Sequence, residues 1–336
     1  MPVSIEDVAK KANVSISTVS RVLNRPRIVN EKTAKRVQSA IQELGYRPNV
    51  FARGLMLRKS HILGLVLPDL HGEFYSEVIR GANLKARELG YQLMISSITA
   101  EDDGWAVMAA MGGHGMVDGV AVMISETDGA TRQTLASVDV PLVVLDGNVD
   151  GVPHDSVVID QRQGATAMIR HLIDSGKAAR VVFVGGHETN IDTRERLDAC
   201  RETLRSDGRD IGRDDVFHLD YSYETAYQLA KSRVCDWARS RASVFAANDE
   251  MAAGVIDAAI ENGLELPHDL PVVGFDDTRI AQMTRPRLTT VRVPMSTMGA
   301  GAVELLCRRL DEPSRPHSTV TLQSELVVRE SCGARR

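Results

Sequence analysis

Apolar positions in the first sixty residues recur at helical spacing in three short runs. Ile5, Val8, Ala9 and Ala12 form the first, behind a Ser4-Ile5-Glu6-Asp7 stretch of the Ser-x-x-acid kind that caps a helix. Asn13, tolerant of left-handed backbone, follows, and Ser15 can cap a second helix at once. That helix turns Val19, Val22 and Leu23 inward and leaves Ile16, Ser17, Ser20 and Arg21 on the opposite face. A third run starts at Asn30, carries Ala34, Val37, Ile41 and Leu44, and stops at Gly45. Each run is too short to stand alone, so the three must share one small core. Two helices joined by a tight turn make a helix-turn-helix unit. After Tyr46-Arg47-Pro48, Asn49 can cap one further stretch to Leu57, which contains Gly54 and exposes Phe51, Leu55 and Met56. The glycine weakens this helix, so it is expected to fold only on a partner, with its apolar residues as wedges for a minor groove.

From His61 the pattern changes. Apolar runs predict strands over 62–67, 93–96, 119–123, 142–145, 157–159, 181–184, 244–246 and 272–275. Between several of them, helical patterns cover 74–89, 164–174, 193–205, 223–239, 251–261 and 297–310. Strand–helix alternation with Val-rich strands predicts parallel sheets with helices on both faces. The length calls for two such lobes. The fold class expected is therefore an α/β core of two doubly wound parallel-sheet lobes, preceded by an all-α helix-turn-helix domain. Its divisions are 1–48 for the helical domain, 49–60 for the hinge and 61–336 for the core. The first lobe takes about 61–160 plus 294–322, and the second about 161–293 plus 323–332.

Ligands of such sheets bind beyond the carboxyl ends of the strands. Asp69, Ser125, Asp146, Asp160 and Asp276 each stand just past a strand, as does Asn248, while Arg194 and Arg196 open a helix. Carboxylates, an arginine and an amide suit a hydroxyl-rich or polar small ligand through paired hydrogen bonds. Any one of these Asp residues would more often be a helix cap, and it is their joint placement that points to a pocket.

Charge sharpens the division. Residues 1–60 hold 12 Lys/Arg against 4 Asp/Glu, and the remainder 28 against 41. A basic head on an acidic body predicts a polyanion partner for the head alone. The four cysteines stand far apart, and no apolar run approaches a membrane span, so a reduced cytoplasmic setting is expected. The absence of an apolar leader speaks against secretion and against a transport-type binding protein. There is no G-x-G-x-x-G after a strand, no Walker A, no H-E-x-x-H and no G-x-S-x-G elbow, and the histidines do not cluster. Neither an enzyme nor a metal or cofactor site is expected.

The stretches SIEDVAKKANVSISTVSRVLN, ELGYRPN and FARGL, in that order, resemble the DNA-binding head of the lactose-repressor (LacI/GalR-type) family of bacterial regulators. The resemblance implies DNA contacts from Ser4, Ser15, Ile16, Ser17, Thr18, Ser20, Arg21 and Asn24 in the head and from Asn49, Ala52, Arg53 and Leu55 in the hinge. Ile16, Ser17 and Arg21 take base-reading positions there, and Leu55 takes that of the wedge. Stretches from ILGLVLPD to RLTTVRVP likewise resemble the family's effector-binding core. By that resemblance Phe74 and Tyr221 are aromatic walls, Arg196 and Asp276 polar anchors, and Asp146, Asp160 and Asn248 cleft residues. Asn13, Gly54, Gly112–Gly115, Gln161 and Lys177 depart from the family's usual residues. The function implied is a transcriptional repressor controlled by a small polar effector, a sugar or sugar derivative ahead of a nucleobase corepressor. A homodimer on a pseudo-palindromic operator follows from reading half-sites, and no heptad tail suggests a tetramer.

Overall fold

The computed structural model describes residues 3–24, 28–46, 59–98, 115–124, 126 and 129–334. They fall into two compact units, Met1–Ser60 and His61–Arg336. The expected hinge segment, with Asn49, Ala52, Arg53 and Leu55, lies outside the described residues, as do Ser125 and Gly112–His114.

In the first unit Ser4 and Asp7 cap each other at the start of α1 (Ile5–Ala12). Asp7 N–H donates to Ser4 Oγ at 3.2 Å, and Ser4 N–H donates to Asp7 Oδ2 at 2.9 Å. Two otherwise orphaned donors are thereby satisfied. Asn13 turns the chain at φ 48°, and Ser15 Oγ accepts from Thr18 N–H at 3.3 Å as α2 (Ile16–Asn24) begins. Asn30 caps α3 (Glu31–Leu44), and Gly45 ends it at φ 63°. Val8, Ala12, Val19, Val22 and Val37 are buried together, the small shared core that the spacing predicts.

The second unit begins with β1 (Ile62–Leu67), α4 (Glu73–Glu88), β2 (Gln92–Ser97), β3 (Gly119–Met123), α5 (Gly129–Ala136), β4 (Leu142–Leu145) and β5 (Asp155–Ile159). It continues with α6 (Gln161–Asp174), β6 (Arg180–Gly185), α7 (Ile191–Ser206), β7 (Val216–His218), α8 (Tyr223–Lys231), α9 (Val234–Arg239), β8 (Ala242–Ala246), α10 (Asp249–Glu261), β9 (Val272–Val273), α11 (Ile280–Met283) and β10 (Thr290–Arg292). Last come α12 (Met295–Asp311), β11 (Thr319–Leu322) and β12 (Glu325–Val327). One parallel sheet runs β11-β5-β4-β3-β1-β2 and a second runs β7-β6-β8-β9. Strands β10 and β12 pair antiparallel. Strands β3 and β4 are buried throughout, whereas the edge strands β2 and β11 are half-exposed, as sheet order requires. Helix α12 returns to pack on α4 and beneath β3, β4 and β5. The chain thus leaves the first sheet after β5, returns to it with α12 and β11, and leaves it again to pair β12 with β10. Because each sheet is parallel, the carboxyl ends of its strands gather on one edge, and loops carrying ligand groups gather with them.

Two sequence expectations need correction. The predicted helix 223–239 is broken at Ser232–Arg233 into α8 and α9. Ser232 Oγ donates to the Leu229 carbonyl at 2.9 Å, competing with the helical ladder where α8 ends. The predicted strand 272–275 is paired only at Val272–Val273, after which Asp276 N–H bonds to the Val291 carbonyl instead. Among the described residues no helix is long and apolar enough to cross a membrane.

Candidate functional site

The head presents one polar face. Ile16 is 45% exposed on α2, and Ser17 and Arg21 are exposed on it too. An exposed isoleucine beside serines and an arginine is unsuited to a core and leaves this face of α2 unpartnered by the small core of the head. The Ser15 hydroxyl lies 2.8 Å from that of Ser17 and 2.9 Å from that of Thr18, so the three form one hydroxyl cluster at the start of α2. Ser20 is half-buried on α2, and Asn24 ends the helix. Ser4 is spent on capping α1, which leaves its exposed hydroxyl at a helix N-terminus.

In the second unit, a cleft of about 420 Å³ opens where the strand ends of both sheets meet. Asp69, Phe74, Asp146, Arg196, Tyr221, Asn248 and Asp276 all line it. Three of them hold left-handed backbone without being glycine: Asp146 at φ 55°, Tyr221 at 67° and Asp276 at 110°. Such conformations cost energy and collect at binding sites. Tyr221 is held in place on two sides. Its hydroxyl donates to Asn190 Oδ1 at 3.0 Å and lies 2.6 Å from Thr193 Oγ1, and Asn248 Nδ2 donates to its carbonyl at 2.9 Å. A Cβ on Gly186 would come within 2.0 Å of the Tyr221 ring, so only glycine allows the tyrosine this position.

Arg196 is the hub of the cleft. Its guanidinium stacks 3.9 Å over Phe275, donates from Nε to Gln161 Oε1 at 2.9 Å and from Nη1 to the Ala247 carbonyl. Its Nη2 stands 3.9 Å from both Asp192 and Asp276. Burial pushes the Asp146 carboxyl well above the usual carboxylate range, and the neighbouring Asp192 charge pushes it further. Burial also raises Asp276 well above that range, against the pull of Arg196. Asp249 is raised to about 7 by burial, even though Thr290 and Thr278 donate to it. Glu73 Oε2 accepts from Arg279 N–H at 2.7 Å, and Glu126 accepts from Thr189, so two bonds join segments that follow strands of different sheets.

Two expected cleft residues do not line it. Asp160 is the N-cap of α6, its Oδ1 occupied by Gln163 N–H at 2.9 Å, and the next residue, Gln161, takes the buried position behind Arg196. Arg194 is exposed, because residues two apart on a helix face opposite ways and Arg196 faces in. Ser125 lies outside the described residues. Sequence reasoning missed Asp192, whose signal was available: it stands four residues before Arg196 on α7 and so shares its face. Tyr75, which meets Phe74 edge-on with ring centres 5.4 Å apart, and Asn190 were missed as well.

Comparison with known proteins agrees with both parts. Residues 4–49 match the lacI family of bacterial regulatory proteins, and residues 169–332 match a periplasmic binding protein-like domain. The catabolite control protein A of Priestia megaterium is 34% identical over 98% of this chain and 99% of its own length. A lac repressor dimer bound to operator and the anti-inducer ONPF superposes with a TM-score of 0.87, at 25% identity and 99% coverage of each chain. A complex of the transcriptional regulator CelR with cellobiose superposes at 0.73, with 29% identity over 98% of this chain and 99% of that one. An exposed polar face on a helix-turn-helix head, a polar cleft between two parallel sheets and kinship along nearly the full length lead to one conclusion: this chain belongs to the lacI family of bacterial regulatory proteins, DNA-binding regulators of transcription that bind an effector.

Proposed function

We propose that this protein is a homodimeric repressor that reads a pseudo-palindromic operator with α2 and releases or holds it according to a sugar or sugar derivative in the cleft. The observation that carries the effector half is Asp276 Oδ1, a buried acceptor with no hydrogen-bond partner in a residue that lines the cleft. A buried carboxylate oxygen left unpaired is costly, and a ligand hydroxyl or amine supplies the missing donor. The aromatic rings of Phe74, Tyr75 and Tyr221 offer apolar area to the faces of a sugar ring, and the cellobiose bound by CelR is in keeping with that class. A nucleobase is the second reading, supported by the same rings, on which a flat heterocycle would stack. The dimer is supported by the logic of half-sites and by the dimeric state of the lac repressor on its operator. Regulation without catalysis, in the cytoplasm, belongs to this reading, in keeping with relatives whose names are those of transcriptional regulators.

Selection of bound duplexes from a random pool by the full-length protein tests the first half. Two-fold-related half-sites are the expected result, and a single unrepeated site would contradict the dimer. Thermal shift against a panel of neutral sugars and nucleosides tests the second half, since a ligand that binds the native state raises Tm. A sugar giving the largest shift supports the favoured class, and a nucleoside giving it supports the second reading.

A further inference from the structure

The cleft carries a marked excess of acidic over basic side chains. Among the described residues lining it, eight are Asp or Glu, and Arg196 alone is Lys or Arg. That arginine directs its donors mainly elsewhere, to Gln161 and to the Ala247 carbonyl. The remaining nitrogen stands 3.9 Å from Asp192 and 3.9 Å from Asp276, beyond hydrogen-bond range. Asp276 is only 7% exposed, and its Oδ1 accepts no hydrogen bond. Three carboxylates, Asp146, Asp192 and Asp276, therefore share the charge of one guanidinium that donates a hydrogen bond to neither Asp192 nor Asp276. One further carboxylate, Glu250, lines the cleft, and burial together with Asp69 raises it above its usual range.

Desolvated carboxylates in such excess are best offset by a second cation. A neutral hydroxyl can fill the empty acceptor on Asp276 but brings no charge, and an anionic ligand would add to the repulsion. Aromatic rings around an acidic site also suit a cation. We propose that the effector carries a protonated primary amine on a hydroxyl-rich ring, the chemistry of a hexosamine, with its ammonium held by Asp276 and the carboxylates around Arg196. This inference rests on the reading of the cleft as the effector site.

Titration calorimetry of the full-length protein decides it, with matched sets of probes: D-glucose, D-glucosamine and N-acetyl-D-glucosamine, and the same three galacto sugars. A charge-assisted hydrogen bond to a buried carboxylate predicts that a free amine binds tighter than its hexose and its N-acetyl counterpart by roughly tenfold or more. Asp276→Asn is expected to remove that preference. Asp192→Asn serves the same purpose should circular dichroism show the first variant unfolded. If a neutral sugar or nucleoside binds at least as tightly as every amine, and Asp276→Asn abolishes that binding, the amine inference is wrong while the cleft remains the effector site. If no amino sugar, neutral sugar or nucleoside binds, or binding is indifferent to both substitutions, the inference and the cleft reading fall together.

Discussion

Arg196 and Asp276 stand 3.9 Å apart in the cleft, close enough to attract and too far to share a hydrogen bond. Arg196 is buried, and Asp146 and Asp192 lean on the same charge. Removing one partner of a buried charge pair typically costs about 3–5 kcal/mol. Arg196→Ala is therefore expected to lower Tm, and by more near pH 8 than near pH 5, because the abandoned carboxylates can take up protons in acid. A melting deficit that does not change with pH would contradict this.

Asp249 gives stability a slope at neutral pH. Its carboxyl, raised to about 7 by burial, holds a proton in the native protein that the unfolded chain gives up near its ordinary value of 3.8. The resulting stabilisation is complete below about pH 4 and is lost as pH rises through about 7. In Asp249→Asn the amide oxygen can still accept from Thr278, and its NH2 can face the Thr290 hydroxyl, which is free to turn. Relative to this variant, the wild-type Tm is expected to fall by roughly a few degrees between about pH 5 and pH 8. Parallel melting curves for the two proteins across that range would remove Asp249 as the cause.

Asp155 works in the opposite direction. Burial opposes its charge, but Ser318 and Arg309 outweigh that and hold its carboxyl below the ordinary value. Arg309 Nε and Nη2 donate to Oδ2 at 3.1 and 2.9 Å, and the Ser318 amide and hydroxyl to Oδ1 at 2.8 and 3.0 Å. The stability it contributes is present above the ordinary carboxylate range and lost as pH falls below it. Asp155→Ala leaves Arg309 buried without its counter-charge and joins β11 less firmly to β5. A loss of about 3–5 kcal/mol in urea unfolding at neutral pH is the expected outcome, and a loss below 1 kcal/mol would show the pair to be dispensable.

In the head, Arg21→Ala is expected to cost about 1–3 kcal/mol and to relax the preference at one base position, as loss of a bidentate guanine contact does. Affinities for a set of single-base operator variants at fixed salt measure this. A uniform loss across all variants, with a salt slope reduced by about one, would reassign Arg21 to phosphate.

Much of this was legible in the sequence, because local chemistry and global fold agree there. The Ser4–Asp7 capping box, the left-handed Asn13 and the Gly45 stop fixed the helices of the head before any tertiary contact was known. Val-rich strands announced the parallel sheets, and residues just past the strand ends pointed to the cleft. What escaped depended on direction and on partners distant in sequence. Asp160 and Asp146 both follow a strand, yet one turns to cap a helix while the other turns at φ 55° into the cleft. Strand β11 is four residues long and mostly exposed, so no apolar run marks it; its place comes from pairing with β5 across more than half the core. The break in 223–239 is a local tightening, with the Ser232 and Arg233 amides bonding three residues back, and no apolar pattern marks it.

The central claim is that occupancy of the cleft sets operator affinity. It is tested by titrating operator duplex with wild type and with Asp276→Asn, each in the absence and presence of the ligand that most raises wild-type Tm. Coupling between such sites is typically about 1–3 kcal/mol, so wild-type affinity should change by roughly 5- to 150-fold. The variant should bind operator like ligand-free wild type and show no response to the ligand. A variant that melts normally and still responds as the wild type does would show that the cleft around Asp276 does not control DNA binding.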